Sequence, residues 1–172
     1  MTGPQVLVRE TAEERRKFLA PTPDMGWYLL GVAGVVFALV GFFDIALTWY
    51  PSNFGSAEFE FASYSQSMNF LPLPVLGLML VLAGGVARGI RWIPKTVVAL
   101  LVVLVVLILV GAVLWATSVP VGLKAVQDPM VLRGLKKAIA KTAVQATLYP
   151  IALLYVSVKA WRHATAATKQ AP

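Results

Sequence analysis

Side chains that do chemistry are scarce in this chain, and their placement limits what it can do. There is no cysteine, which excludes disulfides, thiolate metal sites, iron–sulfur clusters and cysteine nucleophiles. The single histidine, His163, stands beside Arg162 near the C-terminus. It is not inside an apolar run, where a haem or pigment would need its ligand. Glu58 and Glu60 are close together but have no partner base. No nucleophile–base pair, triad or metal cluster can be read from the spacing, so the expectation is a protein that is not an enzyme and needs no cofactor.

Two polar residues sit inside apolar runs. Asp44 is the one acid within such a run, and Gln145 is an amide within another. A carboxylate at mid-bilayer costs about 2.5–3.5 kcal/mol on insertion scales, so it needs either a pairing cation or a wet path. Lys141 and Lys137 begin the last apolar run at a comparable depth. The expectation is therefore a structural ion pair of Asp44 with Lys141 or Lys137. The alternative is an oligomeric channel or transporter for a small ion or solute, built around Asp44 and Gln145.

The elements that must position these residues follow from composition. Of 172 residues, 58% are hydrophobic and 13% charged. Mean hydropathy is +0.74. A small soluble domain cannot hide that much apolar surface, so lipid is the main solvent. This excludes a soluble enzyme and a nucleic-acid-binding domain. The net charge of +7 reads as basic residues flanking membrane spans and meeting anionic lipid at the inner face.

Four runs are long enough to cross about 30 Å of hydrocarbon as helices: 27–50, 70–87, 96–116 and 142–161. The fold class expected is an all-α integral membrane protein of four transmembrane helices. Trp27, Tyr28, Trp49, Tyr50, Trp92, Trp115 and Trp161 stand near the predicted ends, as aromatic belts do. Residues 1–26 form an N-terminal tail, with a capping-box spacing at Thr11–Glu14 and Glu13 four residues before Lys17. Residues 162–172 form a C-terminal tail. With both termini on one side, ten Lys and Arg fall on that side and five on the other, which places the termini in the cytoplasm. The apolar, Val/Leu/Ala-rich spans and short loops fit a bacterial inner membrane.

Within the spans, Gly31, Gly34, Ala38 and Gly41 recur at three, four and three, one face of a helix. Gly77 and Gly84 offer a matching face in the second span. Small residues let helix backbones approach closely, so the first two spans are expected to pack together there. The third span is apolar all round. It reads either as lipid-facing or as pressed on an equally apolar partner.

The outer loop 51–69 carries Phe54, Glu58, Phe59, Glu60, Phe61 and Tyr64. The Glu-Phe-Glu-Phe alternation has period two and predicts a short extended segment. Its aromatics either bind a partner or dip among the headgroups. Asn69 is a candidate cap for the helix after it. Asp128-Pro129 reads as N-cap and first helical residue. The helix it opens carries an amphipathic stretch, 129–141, with Arg133, Lys136, Lys137 and Lys141 on one face and apolar residues opposite. That stretch is an N-terminal extension of the last span. Pro150 should kink the span itself.

No motif here identifies a family. Taken together, the residues predict a non-catalytic accessory subunit or assembly factor of a larger membrane complex, energy-transducing complexes among them. Its partners would be other membrane subunits, held by the loop aromatics and acids and by Arg133 and Lys136.

Overall fold

The computed structural model describes residues 23–169, and these are helical with no strand among them. The tail with the Thr11–Glu14 capping box and the Glu13/Lys17 spacing lies outside the described residues, as does the side chain of His163. Helix α1 spans Pro23–Thr48, α2 Ala57–Phe70, α3 Pro72–Ala87, α4 Trp92–Ala125 and α5 Pro129–Lys169. Because α2 and α3 run on through Leu71, the described residues contain four helical stretches long and apolar enough to cross a membrane. The protein is an all-α, membrane-embedded helical protein.

The principal departure from the sequence reading is residues 57–70, which form a helix and not an extended segment. The local reasons are physical. Ser56 is the N-cap, its hydroxyl accepting from the Phe59 N–H, and Glu58 and Glu60 lie in the first turn, where the helix dipole favours acids. Ser63, Tyr64, Ser67 and Met68 are buried, a helical stripe that four alternating residues had concealed. Asn69 does not cap α3. It belongs to α2, and Leu71 precedes α3 with helical backbone and no side-chain cap bond.

Around the bundle, α1 packs along α3, and α4 packs on α2, α3 and α5. The short α2 touches every other helix. Three pairs, α1 with α4, α1 with α5 and α3 with α5, bring no Cα atoms within 8 Å. Helix α4 is the central long helix, with 39% of its span buried against 17% for α1 and α5. It is neither wholly lipid-facing nor wholly covered. Val97, Leu101, Leu104, Ile108, Gly111 and Trp115 face the bundle, whereas Val103, Leu107 and Val113 face outward.

The α1–α3 seam is made by absent side chains. A Cβ on Gly34 would stand 2.7 Å from the Gly77 carbonyl oxygen, and one on Gly77 would run into the backbone of Ala38 and Gly34. Gly41 lies against Pro74. A Cβ on Gly84 would be 3.0 Å from the Trp27 carbonyl oxygen. Gly31 contributes less, since a Cβ there would meet nothing within 4 Å. Such close approach is what holds helices together where lipid removes the hydrophobic drive.

Helix α5 has 41 residues, about 61 Å at 1.5 Å per residue. It opens as the Asp128-Pro129 pair predicts: the Met130 N–H donates to Asp128 Oδ1 at 2.7 Å. The helix continues past Pro150 and past 162, where a tail was expected.

Candidate functional site

The polar side chains that meet in the structure do so at the α2 end of the bundle. Glu60 is held from two sides: the Gly55 N–H donates to Oε1 at 2.9 Å, and Ser118 Oγ of α4 donates to Oε2 at 2.9 Å. One turn on, Tyr64 is 2% exposed and its hydroxyl donates to the Ile108 carbonyl at 3.1 Å. Its ring lies against Gly111, where a Cβ would come within 2.7 Å of it. Trp115 packs on Phe61 and Tyr64, with ring centroids 6.1 and 6.0 Å away, and donates to Ser65 Oγ at 3.2 Å. A further turn along, Ser67 Oγ accepts from Trp49 Nε1 at 2.9 Å and lies 2.9 Å from Thr48 Oγ1. Trp49, Phe54 and Phe59 close the corner between α1 and α2 as three rings about 6 Å apart.

These contacts reassign most of the residues read as partner-binding in the outer loop. Phe59, Phe61, Tyr64 and Glu60 turn inward and join α2 to α1 and α4. Phe54 keeps an exposed edge at 64%, and Glu58 is exposed. On α5, Arg133 and Lys136 are exposed, as read. The signal for the inward turn was the Ser56 cap followed by Phe61, Tyr64, Met68 and Leu71 at spacings of three and four.

The expected ion pair is not formed. The Lys141 ammonium donates instead to Asn69 Oδ1 of α2 at 2.7 Å, and among the described residues no ion pair involves Asp44, Lys137 or Lys141. The reason is the order of helices around the bundle: α1 and α5 do not touch. Asp44 is half-buried, about one turn from the end of α1, where water and headgroups can solvate it. Asp44→Asn should therefore change stability by less than about 1 kcal/mol, read as the melting point of the purified protein in mild detergent. A loss above about 3 kcal/mol would show a buried cation partner.

Gln145 does face the interior, and its Oε1 is a buried oxygen without a hydrogen-bond partner among the described residues. Asp44 and Gln145 belong to α1 and α5, which are not neighbours in the bundle.

No family model, curated protein or solved structure matches this chain. What the site can do must be read from its own geometry. Its hydroxyls, indole N–H groups and one carboxylate are spent on joining α2 to α4, to the end of α1 and to the loop between α1 and α2. Among the described residues no group of three or more His, Cys, Asp or Glu could hold a metal ion. The arrangement is that of a structural joint.

Proposed function

We propose that the chain is a non-catalytic accessory subunit or assembly factor that packs into a larger membrane complex. The observation that carries this reading is the basic helical extension at the head of α5. No residue of 129–141 is buried, and burial in α5 begins at Thr142. Residues 129–138 add about 15 Å of helix before Ile139 packs on the core and Lys141 meets Asn69. Helix α4 likewise has no buried residue after Ser118. The extension presents the exposed Arg133, Lys136 and Lys137 beside Met130 and Val131, which are 83% and 54% exposed. A cationic face with an apolar margin suits an acidic, partly apolar surface on a neighbouring subunit.

The rest of the reading follows from charge. The end of the bundle carrying Arg88, Arg91, Lys95, Lys159 and Arg162 is the cytoplasmic one, so both termini are cytoplasmic and the α4–α5 extension lies on the outer side. The membrane is a bacterial inner membrane, and energy-transducing assemblies are the first hosts to examine.

Exchange of Arg133 and Lys136 for Glu tests the proposal. Extracted in mild detergent, the wild-type chain should travel with a stoichiometric membrane partner, and the doubly reversed variant should travel alone with its melting point unchanged. Co-migration unaffected by the reversal would remove the extension as the docking element. A bare homo-oligomer that conducts ions after reconstitution would replace the proposal with the channel.

A further inference from the structure

The helices that fail to meet leave grooves between them, and one has a charged mouth. Both α3 and α5 pack on α4 but not on each other. The gap between them is a lateral groove of about 420 Å³ with apolar walls that include Leu82, Val86, Pro94 and Val156. At its head stand Arg91, from the α3–α4 turn, and Lys159 of α5. The turn is fixed by Gly89 at φ 68°, with the Ile90 N–H donating to the Gly85 carbonyl at 3.0 Å. Glycine takes that left-handed conformation without a Cβ penalty, and the turn residues Gly89, Ile90 and Arg91 line the groove. The Lys159 ammonium rests 5.8 Å from the centroid of the Tyr155 ring, which also lines the groove.

We infer that this groove is a binding site for an anionic phospholipid, with an acyl chain along the α3–α5 gap and the phosphate between Arg91 and Lys159. Three observations converge. The groove lies between two helices on the flank of α4, the side of the bundle that lipid meets. Its walls are hydrocarbon. Its mouth is cationic and lacks a described counter-charge: the carboxylates whose side chains are described, Asp44, Glu58, Glu60 and Asp128, belong to the opposite end of the bundle. A zwitterionic headgroup would bring its own cation against Arg91 and Lys159, so the site discriminates by net headgroup charge.

The larger groove, between α1 and α4, is the internal comparison. It has about 660 Å³ of almost wholly apolar space, and its one described cation, Arg88, lies over the Tyr28 ring at 5.6 Å. One cation gives less headgroup selectivity than the two at the α3–α5 mouth.

The test is native mass spectrometry of the full chain released from nanodiscs containing equal parts phosphatidylglycerol and phosphatidylcholine. The wild type should retain one phosphatidylglycerol in preference to phosphatidylcholine. The double substitution Arg91→Gln with Lys159→Gln should lower that preference about 30-fold, at roughly fivefold per cation. Val86→Trp, at an exposed position of the wall, should abolish retention without changing the melting point. Lys95→Gln with Arg88→Gln removes the same charge from the same end and should leave retention intact. Equal losses in both double variants would mean diffuse attraction and overturn the site. Displacement of the lipid by inorganic phosphate would overturn the assignment to a lipid. If phosphatidylglycerol bound only after Glu10, Glu13 and Glu14 were changed to Gln, the chain's own tail would be the occupant and the proposal would fail.

Discussion

Replacing Gly77 with Leu should abolish the stable bundle. A Cβ at this position already runs into the backbone nitrogen of Ala38 and the carbonyl oxygen of Gly34. Backbone cannot swing aside as a side chain can, so α1 and α3 must separate along the whole seam. Overpacking of a tight site costs about 1–3 kcal/mol even when side chains yield. Here the close contact is itself the cohesive force, and its loss adds to that cost. The expected outcome is a drop of at least about 3 kcal/mol, measured by unfolding in mixed micelles, or failure to recover folded protein. Gly31→Ala is the matched control. It lies on the same stripe, its Cβ meets nothing within 4 Å, and it should stay within about 1 kcal/mol of wild type. If both substitutions behaved alike, the seam would not be set by backbone approach.

Removing the Tyr64 ring should have the second largest effect. Tyr64 is 2% exposed, touches Trp115, presses on Gly111 and donates to the Ile108 carbonyl. Truncating a buried aromatic to Ala leaves a cavity that costs about 3–5 kcal/mol. Tyr64→Phe keeps the ring and loses one neutral hydrogen bond, worth about 1 kcal/mol. A clear ratio between the two variants, read as melting points in one detergent, identifies α2 as a packed keystone. Equal and small losses would mean that α2 lies on the bundle as a surface helix. The Ala variant should also weaken the Asn69–Lys141 bond between α2 and α5, while α4 keeps its packing on α5.

Much of this architecture could be read from the residues alone, and the failures have definite causes. The spans are legible because hydrocarbon tolerates neither charge nor an unpaired backbone. The Gly31/Gly34/Ala38/Gly41 stripe is legible because its spacing is helical and no other reason for small residues applies. Helix α2 was obscured because Ser63, Ser65, Gln66, Ser67 and Asn69 lower its apolar character, and Glu-Phe-Glu-Phe is too short to separate period two from the first turn of a capped helix. The pairing of Asp44 was not legible, because depth along a helix is written in the sequence but the order of helices around a bundle is not. Two groups at matching depth can stand on helices separated by others, as α1 and α5 are. Asn69 was thus overlooked as the acceptor for Lys141, an exposed amide that hydropathy gives no reason to single out.

The wiring of α2 has a consequence for how the chain is made. The acceptor of the Tyr64 hydroxyl lies 44 residues downstream, and Ser118, which serves Glu60, lies 58 residues downstream. At about 5–20 residues per second of synthesis, those partners emerge roughly 2–12 s after α2. The glycine seam joins Gly34 to Gly77 and is complete before Ile108 and Ser118 are made. The order of synthesis thus lets the α1–α3 hairpin zip on backbone contact before α4 arrives to take up the polar groups of α2.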